Sequence, residues 1–202
     1  MKREEQKTGL TSEAPGNEIR FYRANQKPYG LLSNLYRRPI LFEDQEFPTA
    51  EHAYQAGKPR KESVRKWLMS APTPCLVAMA AHGLYTWDIR PDWSKIKFHR
   101  MRAVLRAKFT QHEDLRALLL STGNARLVES TRVDNAVNRT WGEVNGKGRN
   151  MLGILLMEVR ALLRNGASIN LNGVGTKSTR TGRPFVHEAK VQRRRHVSRQ
   201  GK

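Results

Sequence analysis

Glu51, Asp134, Trp93, Trp141 and a glycine-rich loop are the features of this chain whose types and spacing could do chemistry. Glu51 stands in Phe47-Pro48-Thr49-Ala50-Glu51-His52-Ala53-Tyr54-Gln55. Four residues separate it from Gln55, so on a helix the two share a face. A first-turn glutamate also complements the helix dipole on a solvated face, so spacing alone leaves both readings open. Glu129 closes the run Leu127-Val128-Glu129, and Asp134 lies just beyond it. Trp141-Gly142 then leads to Asn145-Gly146-Lys147-Gly148-Arg149-Asn150 and the start of a helix. Helix N-termini bind anions through free N–H groups, glycines let backbone approach closely, and Lys147 and Arg149 add positive charge. The loop is not a Walker A motif, because Gly148 stands where Ser or Thr would follow the lysine. Taken alone it is also an ordinary helix entry. Trp93 and Trp141 suit either a core or a surface that stacks on a flat ring.

Other chemistries are disfavoured. The histidines His52, His82, His99, His112, His187 and His196 show no metal-ligand spacing, so no metal site is expected. Cys75 is the only cysteine, which excludes an internal disulfide; it is expected to pack within its helix.

The elements that must position these groups follow from local patterns. Ile19–Tyr22 alternates as a strand, and Pro39–Phe42 with Glu46-Phe47 forms a hairpin around Glu43-Asp44-Gln45. Thr49 caps a helix from Ala50 to about Ala56. Further helices are expected over Lys61–Met69, after Thr73-Pro74 as far as Gly83, over Asp92–Phe109, and over His112–Leu120. In the long one Phe98, Met101, Leu105 and Phe109 form one stripe. Leu127–Ser130 is a short strand. A last helix buries Leu152, Leu155, Leu156, Val159, Leu162 and Leu163 and ends at Asn165-Gly166. The fold class is α+β: a compact, mostly helical single domain with a few short strands.

Charge sets the partner class. The chain has 202 residues with 37 Lys+Arg against 18 Asp+Glu, a formal net charge of +19. Residues 166–202 hold nine bases and one acid, and read as a basic, disordered C-terminal arm able to touch nucleic acid or to serve as a plain solubilising end. Residues 1–18 read as a short flexible leader. The body, 19–165, holds 25 bases and 13 acids, so it is basic without its arm. A polyanionic partner follows: nucleic acid, a nucleotide or another polyphosphate. No apolar run approaches the ~20 residues of a membrane span, and no signal peptide is visible, so a cytoplasmic, reducing compartment is expected.

Read in order, Ile19-Arg20-Phe21-Tyr22, Leu32-Ser33-Asn34-Leu35-Tyr36, the Glu51-His52 segment, Asp92-Trp93, Met101–Phe109, Leu127-Val128-Glu129, Asp134, Trp141-Gly142 and Asn150-Met151-Leu152-Gly153 resemble the YbiA-like or NADAR family, named for NAD and ADP-ribose. The resemblance covers about residues 19–165. It implies a compact α+β fold and N-glycosidase activity without a metal or redox cofactor. Two substrate classes are implied: ADP-ribose on a modified guanine in DNA, and phosphorylated amino-pyrimidine intermediates of riboflavin synthesis. Carried over residue by residue, Glu51 and Asp134 are the candidate catalytic carboxylates. Trp93 and Trp141 would stack on or wall off the base. Asn34, Lys58, Gly142, Lys147, Arg149 and Asn150 are candidate contacts to ribose or phosphate.

The chain departs from the family pattern in two places. Asn135–Thr140 lengthens the spacer between Asp134 and the Trp-Gly pair and is expected to bulge as a loop, and residues 82–91 lack the basic character of that segment. The net charge favours the nucleic-acid-linked substrate over the small metabolite. The rival class is a nucleic-acid-binding or structural protein that keeps the fold without activity.

Overall fold

The computed structural model describes residues 17–172, with side chains described through residue 166. The chain order is β1 (Glu18–Phe21), β2 (Ile40–Phe42), β3 (Gln45–Phe47), α1 (Ala50–Gln55), α2 (Glu62–Met69), α3 (Pro74–His82), α4 (Trp93–Gln111), α5 (Glu113–Ser121), β4 (Arg126–Thr131), α6 (Ala136–Trp141), β5 (Glu143–Val144) and α7 (Met151–Asn172). Two 3-10 turns, Tyr29–Leu32 and Thr86–Asp88, complete it. This is the expected mostly helical α+β architecture.

Strands β1, β4 and β5 form one parallel sheet in the order β1-β4-β5, pairing Phe21 with Glu129 and Ser130 with Glu143. Parallel strands are covered on both faces. Accordingly the adjacent Leu127 and Val128 are both fully buried. Helix α7 lies along β4, and α4 packs against α7. The stripe of α4 is Met101, Val104, Leu105, Lys108 and Phe109, whereas Phe98 is only half-buried.

The β2–β3 hairpin turns through Glu43 and Asp44, both at positive φ (51° and 58°). That is the geometry a tight two-residue turn needs. Glutamate rarely adopts it. Here Arg100 on α4 grips the Glu43 carboxylate with two hydrogen bonds of 2.7 and 2.9 Å.

Four expectations are corrected. Asn135–Thr140 is no loop bulge: it folds as α6, whose N-cap Asn135 accepts a 2.8 Å hydrogen bond from the Asn138 backbone N–H. Helix α7 does not stop at Asn165-Gly166 but continues to Asn172. Leu162 is 52% exposed, because it falls at the edge of the α7 stripe where the helix runs past the core. Cys75 is exposed, because it lies on the outer face of α3, away from the buried Pro74 and Val77. Residues 1–16 of the expected leader (1–18) and residues 173–202 of the expected arm (166–202) lie outside the described residues, while Glu18 at the leader's end already belongs to β1. Among the described residues no helix is long and apolar enough to cross a membrane.

Candidate active site

The site is built on α1, an unusual helix in that all six residues are buried. Thr49 caps it: its hydroxyl accepts from the His52 backbone N–H at 3.3 Å and lies 2.8 Å from His52 Nδ1. The backbone N–H of Glu51 donates to the Asn34 carbonyl at 3.0 Å. At the other end the Arg100 guanidinium donates to the carbonyls of Ala53 and Tyr54. A six-residue helix is too short to be stable alone, so these anchors and its burial fix its direction. His52 is thus part of the cap, held neutral by burial, which pushes its pKa down.

Glu51 faces a cavity of about 120 Å³ and is 5% exposed. Asn34 Nδ2 donates to one carboxylate oxygen and Gln55 Nε2 donates to the other at 2.8 Å. Burial pushes the Glu51 carboxyl up to about 7; the Gln55 and Asn34 hydrogen bonds and the Lys58 charge pull it the other way. The i to i+4 spacing expected of Glu51 and Gln55 is therefore used. Asn34, the expected contact to ribose or phosphate, lines the cavity and holds the carboxylate.

The second carboxylate in the cavity is Glu129, at the inward end of β4. Burial and then the charge of Glu51 push it up to about 7 as well. Asp134, the candidate second group, is elsewhere. It lies just before the N-cap of α6 in an exposed stretch, paired with Arg139 through hydrogen bonds of 2.5 and 2.6 Å. Its pKa is lowered by that pair. Sequence reasoning missed Glu129: alternation along a strand puts it on the same face as Leu127, but Val128 on the other face is equally buried, so the pattern alone does not mark the cavity side.

The cavity wall is aromatic. Tyr54 and Trp141 line it, with ring centroids 5.4 Å apart and nearly perpendicular. Trp141 reaches it from the last residue of α6, so the longer spacer delivers the ring rather than displacing it. Trp93 is 9% exposed and stands behind Tyr54, 5.1 Å between centroids, and does not line the cavity. It backs the wall. His82 lines the opposite side and is kept neutral by burial and by the nearby Lys58 charge. Gln55 Oε1 is buried and lacks a hydrogen-bond partner among the described residues. A buried orphan acceptor at a cavity is a place for a ligand donor.

The remaining candidates fall outside this cavity. Lys58 donates to the Ala81 carbonyl and acts on Glu51 only through its charge. Gly142 packs against the Glu129 carbonyl, where any Cβ would collide, so its smallness lets α6 approach β4. The glycine-rich loop is a hairpin, not a phosphate cradle. Val144 and Lys147 exchange two 2.9 Å backbone hydrogen bonds around Asn145 and Gly146, both at positive φ. The N–H groups of Arg149 and Asn150 are taken by the carbonyls of Arg139 and Gly142. Lys147 and Arg149 are exposed, with Arg149 5.5 Å over the Phe98 ring. Asn150 is buried and clamps β4: its Nδ2 donates to the Leu127 carbonyl (2.8 Å), and its Oδ1 accepts from the Glu129 N–H (3.1 Å). It positions Glu129. Among the described residues no group of three or more acidic, histidine or cysteine side chains could hold a metal ion.

A second, larger cavity of about 720 Å³ shares Leu35 with the first. Tyr22, Arg23, Tyr36 and Arg37 line it. The first cavity is smaller than the roughly 300–1,000 Å³ of typical ligand pockets, and the second falls within that range.

Known proteins share this architecture. The solution structure of the Escherichia coli protein YbiA superposes with a TM-score of 0.67 and 38% identity, covering 75% of this chain and 88% of that one. A protein of Shigella flexneri called N-glycosidase YbiA is 41% identical over 146 residues, 72% of this chain and 88% of that protein. A Vibrio vulnificus protein called riboflavin biosynthesis protein VVA0006 is 33% identical over 154 residues, 76% of this chain but 40% of that protein. The family model for the NADAR domain matches residues 20–164, from β1 to the middle of α7, and so takes in both cavity carboxylates and the aromatic wall. This chain belongs to the NADAR family.

Proposed function

We propose that this chain hydrolyses the N-glycosidic bond of a phosphorylated ribose derivative, and that the derivative is ADP-ribose attached to guanine in nucleic acid. The reaction class follows from kinship: the chain is a hydrolase acting on N-glycosyl compounds, as its relatives are named. The observation that carries the mechanism is the pair Glu51–Glu129, two carboxyls in one cavity, each pushed up to about 7 by burial.

Two like charges side by side do not both ionise readily. Glu51 receives two amide donors and ionises first; Glu129 keeps its proton. Glu51 then takes a proton from water as the water oxygen bonds to the sugar C1. Glu129 gives its proton to the leaving nitrogen as the C1–N bond breaks. The charge on C1 and the ring oxygen is stabilised by the Glu51 carboxylate. Tyr54 and Trp141 exclude water from the departing ring, and the orphan Gln55 Oε1 accepts from a sugar hydroxyl.

Two features support the nucleic-acid carrier. The body is basic without its arm, and the 720 Å³ cavity beside the catalytic one brings Arg23 and Arg37 to where phosphates would lie. A second reading, a phosphorylated riboflavin-synthesis intermediate, is favoured by the name of the Vibrio relative. The test is base release from ADP-ribosylated DNA and from the amino-pyrimidine intermediate, with Glu51→Gln as control. Turnover of the DNA substrate, with affinity falling steeply between about 50 and 200 mM salt, supports the first reading. Turnover of the metabolite alone selects the second.

A further inference from the structure

The segment after α3 carries an aromatic pair that the catalytic cavity does not use. Tyr85 and Trp87 stack with centroids 4.5 Å apart and planes within 10° of parallel. They nevertheless remain 65% and 62% exposed. Each ring covers one face of the other, so the outer faces look to solvent. Trp67 on α2 is 58% exposed, and a cleft of about 320 Å³ between α2 and this segment is lined by both Trp67 and Tyr85. Large aromatic rings grouped in water are costly, and such patches mark interaction sites.

Charge selects the occupant. Residues 58–67 carry Lys58, Arg60, Lys61, Arg65 and Lys66 against Glu62 alone. Asp88, in the cleft, is paired with Lys61 at 3.3 Å, and Glu62 with Arg65 at 3.5 Å. Among the described residues the side chains of Arg60 and Lys66 have no partner. Stacked rings beside unpaired cations match an unstacked base on a phosphate chain; in a duplex both base faces are already covered. We propose that Trp67, Tyr85 and Trp87 form a stacking platform for single-stranded nucleic acid, its phosphates held by Arg60 and Lys66. His82, in the catalytic cavity, is three residues before Tyr85, so their Cα atoms lie within about 11 Å. A strand on the platform therefore reaches the cavity within a few nucleotides.

The platform rests on the nucleic-acid half of the proposed function and not on its hydrolytic half. The test is fluorescence anisotropy of the full chain with a labelled 12-nucleotide DNA strand, the same RNA sequence, the DNA duplex, and a fully abasic strand of equal charge. The double variant Tyr85→Ala/Trp87→Ala is expected to weaken single-strand binding at least about fivefold, from the loss of one stacked base. It should leave the abasic strand unaffected and keep the parental rate on a small free-nucleoside substrate. Glu51→Gln should bind the strand as the parent does, so failed hydrolysis with retained binding refutes only the function. Equal binding by parent and double variant, or equal affinity for the abasic strand, overturns the platform. So does sedimentation showing that the double variant dissolves a dimer of this chain.

Discussion

Glu51 and Glu129 come from different parts of the chain, α1 and β4, and face one cavity in which the Glu51 charge adds to burial in raising the Glu129 carboxyl. The two differ in their partners. Glu51 receives side-chain hydrogen bonds from Asn34 and Gln55, whereas Glu129 is held through its backbone by Asn150. In the proposed mechanism that asymmetry separates the roles of base and acid.

Each half of the pair should be separable by pH. Glu51→Gln and Glu129→Gln should each lower kcat by roughly 10²–10⁴, the usual worth of a positioned acid or base. The parent should give a bell-shaped profile of kcat/KM whose two limbs belong to the pair. Glu129→Gln should lose the alkaline limb, and the double variant should be about as slow as either single one. A parental rate for Glu129→Gln rules it out as the proton donor.

Glu129 also has a stability signature. Its pKa is raised from 4.5 to about 7 on folding. The folded state holds this proton where the unfolded chain has released it, so the stability it contributes is complete below pH 4.5 and is lost as pH rises through 7. Glu129→Gln removes that loss. Urea unfolding should find the variant up to about 3 kcal/mol more stable than the parent at pH 8, with the gap closing toward pH 4.5. A gap that is constant with pH would contradict the buried-acid assignment.

Asn34 acts through Glu51. Its hydrogen bond favours the ionised carboxylate, so Asn34→Ala should raise the Glu51 titration and move the acid limb of kcat/KM to higher pH. Asn34→Asp should move it further, since a second negative charge beside Glu51 adds to the shift. Unmoved limbs with a raised KM would instead make Asn34 a substrate contact.

Lys108 holds the segment that presents Asn34. It is 1% exposed, and its Nζ donates to the carbonyls of Leu31 (2.7 Å) and Ser33 (2.8 Å). Burial pushes its pKa down to about 7. From pH 7 to about 10 the unfolded chain holds a proton that the folded one lacks, so this group makes stability rise with pH there. Lys108→Met should flatten that rise. It should also cost about 1–3 kcal/mol near pH 9, because two buried carbonyls lose their donor. Thermal melts from pH 7 to 10 check both.

Much of the scaffold was legible in the sequence because its signals are local. Thr49 before Ala50, and Thr73 before Pro74, start helices through hydrogen bonds three residues long. The α4 stripe repeats every three or four residues along one chain segment. Glu51 was legible for the same reason, as was its pairing with Gln55.

What escaped was decided between segments. Ala136-Val137-Asn138-Arg139-Thr140 has weak helix propensity, so it reads as a loop. It becomes α6 because Asn135 caps it, Gly142 lets it lie on β4, and its carbonyls receive Arg149 and Asn150. The exchange of Asp134 for Glu129 has the same origin. An exposed α6 turns Asp134 to Arg139 and water, while the parallel pairing of β4 with β1 and β5 carries Glu129 inward toward Glu51. The sequence by itself determined the caps, the stripes, the basic body and the leading carboxylate, all set by neighbours within a few residues. Only the tertiary structure decided the second carboxylate, the backing role of Trp93 and the positioning roles of Asn34 and Asn150. Those depend on desolvation and on contacts between segments far apart in the chain, and no local pattern encodes either.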